Sequence, residues 1–243
     1  MEEKSLKDIH NHKNRKTILV SGVTSGMGLK FVELILQKGY SVIPIVRNKS
    51  DLDNIDIYDN IIEYDYCEPW NIDSAFSGLS EKIDAFVNFA AILPGLSLFE
   101  QSYEGLKTIF DVNVISPMLI LNKIENLLNK DGCIILLGSI SGHKGSFDDP
   151  YAVTKVAQDY ISYVYYKSFG LKVVRLRTFN HEGPRRENVF GLSSYAYQIA
   201  KIEKNFSKGP ILVGYLDDKR NFTHILDIVR AYWLATEKCE VGK

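Results

Sequence analysis

The sequence is poor in the features that mark secreted, membrane-embedded or nucleic-acid-binding proteins. Its three cysteines, Cys67, Cys133 and Cys239, are scattered and form no CxxC pair, so we expect reduced thiols. A formal net charge of -1 creates no field that would gather a polyanion, which disfavours a nucleic-acid partner. The chain has no apolar run long enough to span a bilayer, and its first residues are charged where a signal peptide would be apolar. These absences predict a cytoplasmic protein without a membrane partner.

The first fifteen residues, MEEKSLKDIHNHKNR, carry many charges and predict a disordered, solvated tail over residues 1–15. His10 and His12 lie in this tail, but two mobile histidines do not make a closed metal site. The sequence therefore predicts no metal centre. It also contains no internal repeat and no low-complexity block.

Short apolar runs alternate with segments of helical length over the first three quarters of the chain. The runs are TILV (17–20), SVIPIV (41–46), NIIEY (60–64), DAFVNF (84–89), CIILLG (133–138) and KVVRLR (172–177). Continuous apolar strands separated by helices indicate a parallel sheet that is covered on both faces. The sequence therefore predicts an α/β fold with a doubly wound parallel sheet, the Rossmann fold, over residues 16–179.

The alternation of strands and helices ends near Arg177. Beyond it lie a helix-like segment, SSYAYQIAKIEKNF (193–206), the segment ILVGYLDDKRNFTH (211–224) and an amphipathic segment, ILDIVRAYWLATEK (225–238). We interpret residues 180–243 as a small substrate-binding lobe that includes a final helix.

A glycine-rich turn, SGVTSGMG (21–28), follows the first predicted strand and opens the first predicted helix. Gly22 allows a tight turn, Gly26 lets backbone amides approach a pyrophosphate, and Gly28 allows close packing of helix and strand. A glycine cluster by itself could be only a tight turn, but its place after the first strand indicates dinucleotide binding. The predicted cofactor-binding residues of the turn are Gly22, Thr24, Ser25, Gly26, Met27 and Gly28.

One charge at the end of the second predicted strand bears on which dinucleotide is bound. Arg47 in IVRNKS stands where an acidic residue would hold the ribose 2′-hydroxyl of NAD. A charge-assisted contact from Arg47 to a 2′-phosphate contributes about 1.5 to 3 kcal/mol, which is ten- to hundredfold in affinity. The sequence favours NADP over NAD. The alternative is that Arg47 is a solvated surface residue.

The segment PYAVTK places Tyr151 and Lys155 four residues apart, so both side chains project from one face of a helix. A neighbouring ammonium favours the anion of a phenol whose ordinary pKa is about 10, and the pair is therefore a tunable proton donor. As a bare pattern Tyr-x-x-x-Lys is common by chance, and its alternative is a packed tyrosine beside a solvated lysine. Here it comes after GSISG at the end of the fifth predicted strand, which brings Ser139 within reach of the same carbonyl oxygen.

The glycine turn is followed by Asn113 in FDVNVIS, by Ser139 and by the Tyr151–Lys155 pair, and in this order the chain resembles the short-chain dehydrogenase/reductase superfamily. The resemblance implies that Tyr151 is the acid–base group and that Ser139 steadies the substrate oxygen. It also implies that Lys155 holds the cofactor ribose, that Asn113 supports a proton relay, and that hydride transfer occurs at the nicotinamide. Further cofactor contacts implied by the resemblance are Asp65, Tyr66, Asn88, Ala90 and Ala91.

The segment FNHEGPRR (179–186) replaces the Pro-Gly turn that follows the sixth strand in the single-domain branch of this superfamily. Together with SYAYQIAKIEK and VGYLDDKRNFTHILDIVRAYWLA, it is similar to the extended branch, closest to GDP-mannose 4,6-dehydratases and GDP-4-keto-6-deoxy-mannose reductases. Members of that branch work on nucleotide-diphosphate sugars, and a diphosphate needs fixed donors such as guanidinium groups. The predicted substrate-binding residues are Asn180, His181, Arg185 and Arg220, with Arg186 as a weaker candidate.

The reaction is inferred from the run Ser139-Ile140-Ser141-Gly142, which contains no carboxylate. Since 4,6-dehydratases keep an acid and a base just after the active-site serine or threonine, the resemblance implies NADP-dependent reduction of a 4-keto nucleotide-diphosphate sugar. The alternatives are a nucleotide-sugar epimerase, a non-catalytic NADP-binding subunit and a single-domain ketoreductase.

Two features depart from the extended branch. Only twelve positions separate Ser139 from Tyr151, as in the single-domain branch, and we expect the chain to be C-terminally short because relatives continue into a further strand.

In the superfamily, two long helices form the seam of a dimer. The apolar surface of ISPMLILNKIENLL and QDYISYVYYKSFG therefore implies a homodimer, with burial under the tail or the second lobe as the alternative.

Overall fold

The computed structural model describes residues 15–93, 95–140, 149–217 and 219–242. Apart from its last residue, the predicted tail (residues 1–15) lies outside the described residues, as do Ser141 and Gly142. Across the described ranges, no helix combines the length and the hydropathy needed to cross a bilayer.

A six-stranded sheet forms the centre of the molecule, and all of its strands are parallel. Its strand order is β3-β2-β1-β4-β5-β6, which confirms the predicted doubly wound fold. Each strand lies on one of the six apolar runs, although β3 keeps only two paired residues. The strands are β1 (Thr17–Ser21), β2 (Ser41–Val46), β3 (Ile62–Glu63), β4 (Ile83–Asn88), β5 (Leu128–Ser139) and β6 (Lys172–Thr178).

Helices cover both faces of this sheet. A π-helical segment, Asp111–Ile115, joins α3 to α4, so these two helices form one continuous rod interrupted by a π-bulge. Single 3-10 turns occur in the connections. The helices are α1 (Gly26–Gln37), α2 (Ile72–Ala75), α3 (Tyr103–Phe110), α4 (Ser116–Ile124), α5 (Pro150–Phe169), α6 (Gly191–Glu203) and α7 (Ile225–Lys238).

Local signals fix both ends of α5, the helix that carries the Tyr151–Lys155 pair. Asp149 is its N-cap, and the Asp149 carboxylate accepts a hydrogen bond of 2.8 Å from the backbone N–H of Tyr151. Pro150 occupies the first helical position, where a missing N–H costs nothing. Gly170 ends the helix at a φ of 70°, a left-handed conformation that suits glycine.

Two hydrophobic cores lie on opposite faces of the sheet. The first packs α1 and α7 against the strands through residues such as Phe31, Ile35, Val229 and Tyr232. The second packs the α3–α4 rod and α2 against the other face. The final helix therefore belongs to the layer that contains α1, and the division of the chain at residues 179 and 180 stays a prediction.

A second sheet follows the central one, and the sequence analysis did not predict it. Strands β7 (Asn180–Glu182) and β8 (Phe222–His224) pair in parallel, with Asn180 opposite Phe222. Helix α6 lies between them in sequence. All thirteen residues of α6 are described, and none of them is buried.

Candidate active site

A cleft of about 570 Å³ opens where the strand order reverses, between the carboxyl ends of β1 and β4. Doubly wound sheets bind their ligands at this switch point. The cleft is walled by the turn after β1, by the turn after β4, and by the segment that follows β7. The predicted cofactor-binding residues that line it are Gly22, Ser25, Gly26, Met27, Gly28, Ala90 and Ala91.

The glycine turn has the close backbone approaches that its sequence predicts. A Cβ on Gly28 would overlap the carbonyl oxygen of Gly22, so helix and strand can meet here only without a side chain. Gly26 has a φ of 54°, and the space above its Cα is open toward the cleft. Because α1 begins at Gly26, the first backbone amides of the helix also lie at this edge of the cleft.

Asn88 braces the two turns that form the cleft. Its side chain is fully buried, and its Oδ1 accepts hydrogen bonds from Ser21 Oγ (2.5 Å) and from the Tyr66 hydroxyl (3.0 Å). Its Nδ2 donates to the carbonyl oxygen of Ala90 at 3.3 Å. The side chains of Asn88 and Tyr66 therefore point at each other, and burial raises the pKa of the Tyr66 phenol.

Three other predicted cofactor residues lie at the ends of the strands without lining the cleft. Thr24 is exposed in the glycine turn, and Arg47 is exposed directly after β2. The Asp65 carboxylate accepts the backbone N–H of Cys67 at 2.9 Å. Burial chiefly raises the pKa of the Cys67 thiol, while the Arg47 charge acts against this rise, so Arg47 lies near the segment after β3.

Ser139 and Tyr151 meet at the carboxyl end of β5, where their hydroxyl groups share a hydrogen bond. Burial raises the pKa of Tyr151 to about 12, although the Ser139 hydrogen bond and the charge of Arg186 act in the opposite direction. The phenol is therefore protonated at neutral pH. A protonated phenol is the form that can give a proton to a carbonyl oxygen.

Lys155 lies beneath this pair and is 1% exposed. Its ammonium donates to the Leu137 carbonyl at 2.9 Å and to Gln158 Oε1 at 2.7 Å, and it lies 5.2 Å from the centroid of the Tyr151 ring. Burial lowers the pKa of Lys155 to about 7. The structure thus brings Ser139, Tyr151 and Lys155 together, although none of the three lines the cleft.

Asn113 lies in the π-helical segment and is fully buried. Its carboxamide accepts the backbone N–H of Ile92 at 2.9 Å and donates to the Ile92 carbonyl at 3.0 Å. It also donates to Thr154 Oγ1 at 3.0 Å. Asn113 therefore ties the cleft wall after β4 to the helix that carries Tyr151 and Lys155. π-Bulges are frequent at functional sites, and this one presents Asn113 to both elements.

The predicted substrate residues divide into two groups. His181 and Arg185 line the cleft, and burial lowers the pKa of His181. Asn180 and Arg220 are exposed and do not line it, and Arg220 lies two residues before β8 at the end of the small sheet that contains Asn180.

The sequence analysis ranks Arg186 below Arg185, but the structure gives Arg186 the more defined contacts. Its guanidinium lies 3.5 Å from the centroid of the Phe190 ring, and its buried Nε has no hydrogen-bond partner among the described residues. Its charge acts on both Tyr151 and His181. Arg186 also lines the cleft opposite the glycine turn. Because Arg185 and Arg186 are adjacent, only the fold could distinguish them.

The strand order of the sheet, the cleft at its switch point and the glycine turn together define a Rossmann-fold protein of the short-chain dehydrogenase/reductase type. The model of the family described as GDP-mannose 4,6 dehydratase matches residues 19–242, and the chain belongs to that family. This finding confirms the family resemblance that the sequence motifs predict.

Individual relatives agree with this assignment. GDP-mannose 4,6-dehydratase of Vibrio cholerae serotype O1 is 26% identical over 247 residues, which cover 93% of this chain and 66% of the relative. GDP-6-deoxy-D-mannose reductase of Pseudomonas aeruginosa is 32% identical over 94 residues, covering 39% of this chain and 31% of the relative. This chain thus spans about two thirds of the length of the dehydratases that it matches.

Among solved structures, RMD from Pseudomonas aeruginosa in complex with NADPH superposes with a TM-score of 0.73 at 19% identity. The match covers 94% of this chain and 74% of RMD. A short-chain dehydrogenase family protein from Francisella tularensis gives a TM-score of 0.71 at 18% identity, covering 93% and 92% of the two chains. At these identities the likeness shows the fold.

Proposed function

We propose that this protein binds NADP in the cleft and reduces a 4-keto nucleotide-diphosphate sugar, with a GDP-4-keto-6-deoxy sugar as the preferred substrate. The observation that carries the proposal is the hydrogen bond between the Tyr151 and Ser139 side chains at the end of β5, with Lys155 Nζ 5.2 Å from the centroid of the Tyr151 ring. A relative named GDP-6-deoxy-D-mannose reductase and membership in the GDP-mannose 4,6 dehydratase family support the substrate class.

The residues around the cleft fit a dinucleotide. The open space above Gly26 and the first backbone amides of α1 suit a pyrophosphate. Gly22 and Gly28 approach each other so closely that a side chain on Gly28 would not fit. A cleft of about 570 Å³ lies within the range of cofactor sites. Arg47, directly after β2, would pair with the 2′-phosphate of NADP. When bound, NADPH supplies the hydride for the ketone carbon.

Tyr151 would donate its hydroxyl proton to the ketone oxygen as the carbonyl carbon accepts the hydride, so that the ketone becomes an alcohol. Ser139 would donate a hydrogen bond to the same oxygen and orient it. The Tyr151 phenolate left by this step would be stabilised by the nearby positive charge of Arg186, and solvent would return the proton. Lys155 would act from beneath Tyr151, since its ammonium donates to Leu137 and Gln158 and does not line the cleft where the cofactor ribose would lie. Asn113 would keep the relay aligned.

Guanidinium groups on the far wall would bind the diphosphate of the substrate. Arg185 and Arg186 face the glycine turn across the cleft, and His181 lies beside them. Two planar guanidinium groups suit phosphate oxygens because each can donate two parallel hydrogen bonds. Asn180 and Arg220, at one end of the β7–β8 sheet, would contact a part of the substrate that extends beyond the cleft.

A second candidate is 4,6-dehydration, which the names of the family and of the Vibrio relative favour. The absence of a carboxylate from the sequence Ser139-Ile140-Ser141-Gly142 argues against it, because elimination of water needs an acid and a base near the sugar. A nucleotide-sugar epimerase would use the same Tyr151 and Lys155 without net loss of NADPH.

The test is to incubate the protein with NADPH and 4-keto-6-deoxy sugars linked to GDP, dTDP, CDP or UDP, following NADPH absorbance and the product mass. We expect NADPH loss with the GDP-linked ketone and a product heavier by two hydrogens. No loss of NADPH with any ketone would overturn the reductase proposal. Loss of one water from GDP-mannose in the presence of NADP would indicate a dehydratase, and an isomeric product without NADPH loss an epimerase.

We also propose a homodimer that forms through α4 and α5. Val153, Val156, Tyr160 and Tyr163 repeat at spacings of three and four residues along α5 and are between 37% and 67% exposed. Such a stripe is the pattern of a helix seam. Light scattering of the eluted protein should give the mass of a dimer, and Val156→Glu should give a monomer. A wild-type monomer would refute this assembly.

A further inference from the structure

The inward face of α5 carries a buried polar stripe that packing alone does not account for. Thr154, Lys155, Gln158 and Ser162 are each at most 2% exposed. Thr154 and Ser162 are satisfied by helix carbonyls, since Thr154 Oγ1 donates to the Tyr151 carbonyl and Ser162 Oγ to the Gln158 carbonyl, both at 2.7 Å. Lys155 and Gln158 are left as the members of the stripe that need another explanation.

Gln158 and Lys155 are paired. The Lys155 ammonium donates to Gln158 Oε1 at 2.7 Å, one helical turn away. The Nε2 of the same carboxamide is buried and has no partner among the described residues. Turning the carboxamide over would place its NH₂ group against the ammonium, so the charge of Lys155 fixes the orientation of Gln158. An apolar residue at this position would leave no buried donor unpaired.

The position of the ammonium is fixed by acceptors on two elements. The Leu137 carbonyl belongs to β5 and accepts at 2.9 Å, while Gln158 belongs to α5. Together these acceptors hold Lys155 Nζ 5.2 Å from the centroid of the Tyr151 ring. Without Gln158, one hydrogen bond to Leu137 would let the four-carbon side chain of Lys155 turn about its own axis.

No described carboxylate makes an ion pair with Lys155. The Tyr151 ring lies next to Lys155. The charged and titratable groups around Tyr151 are Asp149 before α5, Arg186 after β7 and Tyr232 on α7. The neutral oxygen of Gln158 thus takes the place that an acidic residue would fill beside a buried ammonium. A neutral acceptor stabilises the ammonium without forming an ion pair with it.

We propose that Gln158 is a positioning residue, whose carboxamide oxygen holds the Lys155 ammonium charged and aligned beneath Tyr151. This inference rests on the proposed function, because it assigns Lys155 a role in the reaction. Gln158 itself contacts neither the cleft nor the reacting atoms.

The first experiment needs no substrate. The pKa of Lys155 is measured by NMR in full-length protein with labelled lysine, assigned with Lys155→Met. We expect Gln158→Leu to lower this pKa, because the ammonium loses an acceptor that the neutral amine does not need. Gln158→Glu should raise it, since a carboxylate favours the ammonium. Ser162→Ala, one turn further along the stripe, should leave it unchanged. An unchanged pKa in folded Gln158→Leu would overturn the inference.

The second experiment measures ketone reduction against pH. We expect Gln158→Leu to lower kcat about tenfold with KM within about twofold, and Gln158→Glu to restore kcat with the profile moved to higher pH. Equal losses in both variants, or full activity in Gln158→Leu, would overturn the positioning role. If Gln158→Leu does not fold, Gln158→Met replaces it. A wild-type protein without reductase activity refutes the proposed function instead, and the NMR titration then decides on Gln158.

Discussion

Helices α1 and α6 have similar lengths and both contain aliphatic residues, but they lie in different surroundings. Helix α1 buries Phe31, Val32 and Ile35 against the central sheet. Helix α6, after β7, buries none of its described residues, and Leu192, Tyr197 and Ile199 are each more than 40% exposed. The comparison shows that the cofactor side of the cleft is fixed by packing, whereas α6 has little packing to hold it.

This difference bears on how each wall of the cleft can work. The glycine turn is held by the first core and by the hydrogen bond from Ser21 Oγ to Asn88, so its backbone amides have a fixed direction. The opposite wall contains Arg185 and Arg186 and lies between β7 of the short β7–β8 sheet and α6 in the sequence. We therefore expect the cofactor wall to be preformed and the substrate wall to tighten on its ligand.

The largest effect should come from Tyr151→Phe, which removes the proposed proton donor at the start of α5. We expect turnover to fall at least about a thousandfold, which corresponds to about 4 kcal/mol of transition-state free energy. NADPH affinity, measured by fluorescence titration, should stay within about twofold because the ring and the helix are unchanged. Tyr166→Phe, on the same helix and away from the cleft, is the matched control. Undiminished turnover in Tyr151→Phe would refute the assignment.

The two helices can be compared directly by the same truncation. Ile35→Ala in α1 should lower the free energy of unfolding by about 2 to 5 kcal/mol, because the Ile35 side chain is 0% exposed and its truncation leaves a cavity in the core. Ile199→Ala in α6 should change it by less than about 0.5 kcal/mol, since this side chain is 42% exposed. Urea denaturation of both variants measures the two values. Equal losses would show that α6 is buried in the folded protein in solution.

On the substrate wall, Arg186→Met should weaken binding of GDP about ten- to hundredfold, since one charge-assisted guanidinium contact to phosphate contributes about 1.5 to 3 kcal/mol. Calorimetric titration of GDP into NADP-saturated protein measures the change. Arg230→Met, an exposed arginine on α7, serves as the control and should bind GDP as the wild type does. Wild-type affinity in Arg186→Met would remove this residue from the diphosphate site.

The smallest effect is expected at the edge of the cofactor wall. Arg47→Ser should raise the Kd for NADPH about tenfold and leave the Kd for NADH within about twofold, because only NADPH carries the 2′-phosphate. Fluorescence titration with both dinucleotides makes NADH the internal control. Parallel changes for the two cofactors would mean that Arg47 supports the turn and does not select NADP.

The fold was predictable from local patterns because each central strand is a continuous apolar run and each covering helix is amphipathic. All six runs became strands of one parallel sheet, and the final helix spans the residues that its pattern predicts. Strands β7 and β8 were missed, since three residues are too short to show a period. The π-bulge at Asp111–Ile115 was missed as well, because nothing in a helical pattern marks one extra residue per turn.

The segment RTFNHEGPRR (177–186) places three arginines within ten residues, but the fold gives them different surroundings. Arg177 forms a two-point ion pair with Asp159 of α5, with its Nη2 at 2.8 Å from Oδ2 and its Nε at 3.1 Å from Oδ1. Arg185 and Arg186 line the cleft. The partner of Arg177 lies eighteen residues away on a different element, so neighbouring residues in the sequence carry no sign of it.

By itself the sequence determined the strand and helix pattern, the glycine turn and the chemical groups of the site, since these depend on periodicity, backbone freedom and residue type. Tertiary structure decided which polar groups meet: Asn88 with Tyr66, Lys155 with Gln158, and the charge of Arg186 with Tyr151. It also decided that burial raises the pKa of Tyr151 and lowers that of Lys155. Desolvation and pairing depend on distances between elements, and these are set only when the layers pack together.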